Sequence, residues 1–588
     1  MTALHPGLRR AADDGGVRAR SLHLALLAAS GLLLALAFPR PGVGWLAHWA
    51  LVPAAVLALR STSAWRLAWT SYAVWLAWWV GMLYWLWPVT GGGYLGLALL
   101  MAAYPTAALL VFRHLDRKWK LPAVVTLPLA WVTMEALRGH LFAGGFAWYH
   151  LSHTQASFDE SHGPRYVVQA ADLFGEYGVS WLVAMTNGLV VDLCLRPWSR
   201  PVRGATAAGR RPSRAVIGAV VLWAVLLGGA WVYGRARVQQ WDAVATPGPV
   251  VAVVQTNVPQ DNRNRPTREQ TLAEWQRLLQ LTTLASTAAV GEPGATADLI
   301  VWPETVTPTG LNDEAVEVMP LAAAVLRETR AAAQRTRAHL VIGSNALWDW
   351  RPVERDGEQY LVPAKQSNSA FFMFSDGMIA GRYDKMHRVP FGEFLPWIEW
   401  FPALKGLFLR YLSPYGPDFD YTVTPGLEPV IFVAPFERRG GEGGVVRFAT
   451  PICFEDAVSR VGLRMVYEPE GGKRADLLVN LTNDGWFVNT AQAVQHVQIA
   501  TLRCIELRVP MARAVNTGVS GLIDSVGRVG PLVRDDSGQT QDVDGATAAR
   551  IRLDPRASLF GRVGQVPVWI MIGGTGALVL VGTIRKGS

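Results

Sequence analysis

Three residues follow β-prone runs and supply a carboxylate, an ammonium and a thiol. Leu299-Ile300-Val301-Trp302-Pro303 leads into Glu304, Tyr383-Asp384 into Lys385, and Pro451-Ile452 into Cys453. Alone, each is unremarkable, since a Glu or Lys after a strand commonly sits in solvent and a Cys is commonly a small buried hydrophobe. As a set they are the parts of an acyl-transfer site: a nucleophile, a base for its proton, and a cation for the oxyanion that forms.

Short elements must position them. Strand candidates are Val250–Gln255, Leu299–Trp302, Leu340–Gly343, Ala370–Phe374, Val446–Ile452, Leu477–Leu481 and Ser520–Asp524. Helical patterns cover 266–290, 318–337 and 490–507, and Ser375-Asp376-Gly377 reads as a hairpin turn. Strands alternating with helices predict a layered α/β domain.

The flanking sequence is of another kind. Apolar residues make up 51% of the 588, charged residues 17%, and there are 25 Trp. Trp65, Trp69, Trp75, Trp78, Trp79, Trp85 and Trp87 cluster at the ends of apolar runs, where a membrane interface favours an apolar ring carrying one N–H. Crossing a bilayer takes about 20 residues of helix. Eight segments qualify: 21–38, 43–60, 64–87, 91–113, 121–137, 172–196, 213–235 and 565–584. The first, preceded by Arg9, Arg10, Arg18 and Arg20, lacks a small-x-small cleavage site and is read as a retained helix.

Basic residues fall in alternate loops: Arg60 and Arg66, Arg113 to Lys120, Arg196 to Arg214, and Arg585 with Lys586. The net charge of +9 is thus a topology signal rather than a nucleic-acid patch. It predicts a cytoplasmic amino terminus and, seven crossings later, a periplasmic stretch 240–560. The expected organisation is a cytoplasmic tail 1–20, a membrane domain 21–240 with seven helices, a catalytic domain 241–560, and 561–588 as the eighth helix and tail. Three cysteines (Cys194, Cys453, Cys504) are too few for a disulfide framework, and Cys194 and Cys504 are read as packing residues.

The ordered contexts Trp302-Pro303-Glu304, Tyr383 to Phe394 and Cys453-Phe454-Glu455-Asp456 resemble the carbon–nitrogen hydrolase (nitrilase) superfamily. Asn483-Asp484-Gly485-Trp486-Phe487, Gln495-His496, Arg503 and Arg513 to Gly518 resemble it too. With membrane helices on both sides, and with Glu135 to Gly139 and Phe174 to Gly178 in the membrane part, the chain resembles the apolipoprotein N-acyltransferase family over nearly its full length. That resemblance implies an αββα sandwich beside about eight transmembrane helices. It implies Glu304 as general base, Lys385 as the cation beside the oxyanion and Cys453 as nucleophile. Glu393, Glu455 and Asn368 would support the site, and the backbone N–H of Phe454 would join Lys385 at the oxyanion. It further implies acyl transfer from a phospholipid to the amino group of an apolipoprotein's diacylglyceryl-cysteine. The route would be ping-pong through a thioester, in the bacterial inner membrane, as a monomer, with no cofactor or metal. Two departures stand out: Phe454 occupies a position where the family would have Tyr, and Asp261-Asn262-Arg263-Asn264 after Gln260 lacks an expected Trp.

Segment Phe394 to Phe401, including Trp397 and Trp400 and continuing to Tyr411, is very apolar for a loop outside a membrane and reads as an arm dipping into lipid. His150, His153, Asp159, Glu160 and His162 lie in the loop 138–170, which reads as solvated rather than metal-binding. The alternatives are a membrane-tethered amidase or nitrilase using water, and a scaffold or transporter whose nitrilase-like domain only binds.

Overall fold

The computed structural model describes residues 17–141, 144–195, 213–260, 266–292, 294–355, 358–396, 398–412, 422–437, 443–487 and 490–584. They form two compact units. One runs to Ala156 and includes Tyr166–Ala236 and the chain from Val563; the other comprises Ser157–Arg165 and Arg237–Arg562.

The first unit is helical. Each of the eight apolar segments contains helix. Among the described residues, four helices are by themselves long and apolar enough to cross a membrane: Gly93–Trp119, Val167–Leu195, Arg214–Val244 and Val566–Ile584. Ser21–Ala37 and Gly44–Arg60 are shorter apolar helices. The region 43–60 breaks into a 3₁₀ turn, Gly44–Leu46, and two short helices, Ala47–Ala50 and Val52–Arg60. Ala64–Met82 owes its bulk to Trp, whose indole N–H makes it less apolar than Leu or Ile.

The Trp cluster divides. Trp65, Trp69 and Trp87 are exposed, as interface residues would be, whereas Trp75, Trp79 and Trp85 are buried among the helices. Trp75 packs edge-on against Trp131, and Arg138 lies 5.1 Å over the Trp79 ring. Some buried polar groups of this unit cap its helices. Asp192 accepts from Ala123 N and Val124 N at 2.9 and 3.0 Å, serving the amide donors that start the helix Ala123–His140.

The second unit contains two six-stranded sheets. The first comprises β1 (Thr246–Gln255), β2 (Leu299–Val301), β3 (His339–Arg355), β4 (Glu358–Met373), β5 (Ile379–Asp384) and the final strand β12 (Gly545–Leu553), in the order β12-β1-β2-β3-β4-β5. The second comprises β6 (Phe432–Glu437), β7 (Gly443–Ala449), β8 (Leu477–Thr482), β9 (Met511–Val515), β10 (Gly521–Ile523) and β11 (Val529–Leu532), in the order β11-β10-β9-β8-β7-β6. Each sheet has a parallel centre, β1-β2-β3 and β7-β8-β9, bordered by antiparallel strands.

Side-chain alternation along β1 explains the layering. Val251 and Val253 join Val301, Phe372, Phe448 and Leu477 in the core between the sheets. Val250, Ala252 and Val254 face the other way, onto Trp275, Leu278, Val325 and Leu326 of helices Arg268–Ala285 and Pro320–Thr336. Helices Ser459–Val466 and Gln492–Leu507 pack on the second sheet. The unit is therefore a nitrilase-like αββα sandwich. Helix Arg268–Ala285 begins at a capping box in which Thr267 and Gln270 satisfy each other's backbone N–H.

Candidate active site

Glu304, Lys385 and Cys453 lie just past the ends of these strands, whereas Asn368 lies within β4 and Glu393 farther along the chain after β5. Glu304 follows β2, Lys385 follows β5, and Cys453 follows β7 after Thr450-Pro451-Ile452. Carboxyl ends of parallel strands are where layered α/β folds collect their chemistry. Trp397 lies outside the described residues, as do Asp261 to Asn264.

The backbone is unusual at these points. Cys453, Thr305 beside Glu304, and Phe391 beside Glu393 all have positive φ, at 52°, 45° and 61°. Non-glycine residues hold that region at a cost of order 1–3 kcal/mol each, sustained by surrounding contacts. Here it turns each chain end sharply enough to present its side chain. Gly343 on β3 is needed for the same reason, because a Cβ there would lie 2.0 Å from Pro303 O and 2.7 Å from Glu304 Cα.

The polar groups converge. Lys385 Nζ donates to Glu393 Oε1 at 2.7 Å and lies 3.5 Å from Glu304 Oε1. Asn368, on β4, donates Nδ2 to Glu304 Oε1 at 2.6 Å and to Glu393 Oε1 at 3.3 Å. Val389 N–H donates to Glu393 Oε2 at 2.7 Å, fixing the other carboxylate oxygen. The Cys453 thiol lies within electrostatic reach of the Glu304 carboxylate and the Lys385 ammonium. Lys385 and Glu304 are buried and Cys453 is only partly so, leaving the nucleophile reachable.

Electrostatics sets the resting protonation. Burial raises Glu304 above the ordinary carboxylate range, and Glu393 adds to this against Lys385, Asn368 and Cys453. Burial, then the Glu304 charge, hold the Cys453 thiol well above its usual pKa, against the pull of Lys385. Burial works to lower Lys385, but Glu393, Glu304 and Cys453 outweigh it and keep the ammonium charged. The resting site is a thiol facing a carboxylate beside a permanent cation.

Glu455 does not face the reagents. Fully buried, it accepts from Ile452 N at 2.8 Å, from Met386 N and His387 N at 2.9 Å, and from Tyr383 Oη at 2.8 Å. It ties the backbone before Cys453 to the backbone after Lys385. Burial raises it to about 7 despite these donors. Phe454 stacks on His387 with ring centroids 6.0 Å apart and planes 22° apart, so the aromatic face does the packing without a hydroxyl.

Beneath the cysteine lies a buried ionic network. His496 bridges Asp456 and Asp484 at 2.8 and 3.1 Å, and Arg513 reaches the same two carboxylates at 2.9 and 3.2 Å. Arg513 also donates to Asn480, whose amide in turn donates to Pro451 O at 3.1 Å. These residues brace the turn carrying Cys453. The positioning roles of Tyr383 and Asp456 were not read from sequence. Tyr383 shares strand parity with Lys385, which marks it as inward-facing.

In the arm, Trp400, Phe401, Leu404 and Leu407 are exposed, at 75%, 56%, 51% and 57%. The solvated-loop reading of 138–170 is corrected for His150 and His153, which are buried. Glu160 pairs with Arg534 at 2.8 Å. Cys504 is buried as expected, whereas Cys194 is exposed.

Both parts of the chain match known families. Residues 30–189 match the model of the apolipoprotein N-acyltransferase N-terminal domain, and 250–532 that of the carbon–nitrogen hydrolases. The apolipoprotein N-acyltransferase of Geobacter metallireducens is 31% identical, with 98% of each chain covered. That of Bordetella bronchiseptica is 29% identical, with 96% of each covered.

Proposed function

The chain belongs to the apolipoprotein N-acyltransferase family, and from that premise we propose how it works. It is an acyltransferase that moves an acyl chain from a phospholipid to the amino group of the diacylglyceryl-cysteine at an apolipoprotein's amino terminus. The observation that carries the mechanism is the convergence of Glu304, Lys385 and Cys453, with Glu393 holding the ammonium.

In the first half-reaction the Cys453 sulfur attacks the ester carbonyl while its proton passes to Glu304. The carbonyl oxygen becomes an oxyanion beside Lys385 and the backbone N–H of Phe454, each good donor contributing roughly 3–4 kcal/mol. As the tetrahedral intermediate collapses, the C–O bond breaks and Glu304 returns the proton to the departing lysophospholipid oxygen. A thioester on Cys453 remains. In the second half-reaction the acceptor amine attacks that thioester, Glu304 takes the amine's proton, and the C–S bond breaks. The thiol is regenerated and an N-acyl amide released.

Lipid substrates explain why such a site belongs on a membrane protein. Exposing about 15 methylenes to water would cost on the order of 12 kcal/mol at about 0.8 each. We read the apolar arm 394–411, which contains Trp397 and in which Trp400, Phe401, Leu404 and Leu407 are exposed, as the part that enters lipid and keeps water from the thioester. The eight-crossing topology, with the sandwich in the periplasm and the chain acting as a monomer, belongs to this reading and rests on the alternating loop charges.

The test is reconstitution in vesicles with labelled phospholipid and a diacylglyceryl-cysteine peptide. N-acyl peptide and lysophospholipid should form in equal amounts. Replacing Trp400 and Phe401 with Ser should slow transfer or divert acyl groups to free fatty acid. Release of free fatty acid as the wild-type product would favour a hydrolase.

A further inference from the structure

The helical unit holds a second cluster of reactive side chains that the acyl transfer does not use. His150 caps and His153 lies within the 3₁₀ turn Leu151–Gln155. Residues three apart eclipse in such a turn, so both imidazoles leave on one side, with ring centroids 5.0 Å apart. Facing them is Glu176. The helix Ala171–Leu195 breaks at Phe174 and at Gly175, whose φ of 69° and ψ of −170° suit only glycine, and Glu176 restarts it pointing at the histidines. All three side chains are buried, at 0%, 2% and 1% exposure.

His150 Nδ1 lies 3.2 Å and His153 Nε2 3.1 Å from one oxygen, Glu176 Oε2. The three donor atoms lie within 4.8 Å of one another, the only such grouping among the described residues. Zinc bonds of about 2.0–2.1 Å in a tetrahedron set neighbouring donor atoms roughly 3.3 Å apart. The observed separations fall close to that edge. Two imidazoles and one carboxylate are also a donor set that suits zinc.

We infer that His150, His153 and Glu176 bind a divalent transition-metal ion, zinc by preference, with water in the fourth position. The ion clasps the 3₁₀ turn to the helix that carries Glu176. Two hydrogen bonds dock the same turn, Leu151 N to Glu135 Oε1 at 2.9 Å and Ser152 N to Ser180 Oγ at 3.0 Å. The site is built into the scaffold, and its role is structural.

The test uses the full chain in detergent, purified without chelator or polyhistidine tag and carrying Cys453→Ala so that the thiol binds no metal. Elemental analysis should find about one zinc per chain, and His153→Gln/Glu176→Gln should hold less than a tenth of that. Chelated protein reloaded with cobalt(II) should show the intense visible bands of four-coordinate cobalt. Chelation should lower the melting temperature and zinc restore it, with no such response in the double variant. The cobalt titration on the unaltered site decides the matter even should that variant misfold. No cobalt bands and no zinc would overturn the inference, as would equal zinc in both proteins; the cluster would then be a hydrogen-bonded His–Glu–His network.

Discussion

Glu393 accepts from the Lys385 ammonium at 2.7 Å, whereas Glu304 stands 3.5 Å from it. The cation's tight partner is therefore the carboxylate that does no chemistry. Glu304 pairs with the same cation more loosely, and burial raises its proton affinity against the pull of Lys385. The two carboxylates, joined through Asn368, divide the work between holding the cation and moving the proton.

This division fixes the pH dependence. Burial, assisted by Glu393, raises Glu304 above its ordinary 4.5. Acylation needs Glu304 ionised, so the rate of Cys453 acylation should fall with decreasing pH along a limb centred above 4.5. Glu393→Gln removes one raising influence and frees Lys385 to pair more closely with Glu304. Its acid limb should move to lower pH, and its plateau rate should fall about 10- to 100-fold through lost positioning. Single-turnover acylation across pH measures both, and a limb displaced upward would contradict the assignment.

Cys453→Ala should insert and fold yet give no turnover, because removing one sulfur from a partly buried site is a small structural change. Glu304→Gln and Lys385→Ala should each lose at least about 100-fold, typical for removing one proton-transfer or oxyanion group. Near-normal rates in any of the three, assayed with phospholipid and diacylglyceryl peptide, would remove that residue from the mechanism.

Glu455 makes a separate prediction, because donors from Ile452, Met386, His387 and Tyr383 all point at its carboxylate. In Glu455→Gln the amide N–H₂ would face donors. The sandwich should lose about 1–3 kcal/mol of stability and acylation should slow. Thermal unfolding and acylation rates report the two effects. Full activity with unchanged melting would show that the clamp does not position Cys453.

The orientation of the sandwich is checked by labelling in a background lacking Cys194, Cys453 and Cys504. A cysteine at Leu427, which is 83% exposed, should react with an impermeant thiol reagent in intact spheroplasts. One at Arg203 should react only after the inner membrane is opened. The reverse pattern would place the catalytic unit on the cytoplasmic side.

Sequence made much of this legible, unevenly. Glu304, Lys385 and Cys453 stood out because each follows a run whose composition marks a buried strand. Strands such as β1 and β8 were found for the same reason. β5, β6, β9, β11 and β12 were missed. Ile379–Asp384 carries Gly and Arg, Phe432–Glu437 carries Pro, and Gly545–Leu553 is rich in Ala and Arg, so their strand character comes from pairing partners rather than propensity. β3 and β4 extend far past the apolar stretches that revealed them, because each satisfies the other's backbone from Leu340↔Met373 to Arg355↔Glu358. Glu455 was found by its neighbours, but its structural work became visible only when four donors converged on it. Burial of His150 and His153 was hidden because a loop rich in His, Asp and Ser reads as solvated.

The central claim, an acyl enzyme on Cys453 reserved for an amine, is tested most directly by intact-protein and peptide mass spectrometry after brief exposure to phospholipid. The account predicts one acyl group, mapped to the peptide containing Cys453, released by hydroxylamine and absent from Cys453→Ala. It should persist with phospholipid alone and discharge promptly when a diacylglyceryl-cysteine peptide is added, giving the N-acyl amide. No adduct on Cys453, or an adduct that hydrolyses at the same rate with and without the peptide, would contradict it.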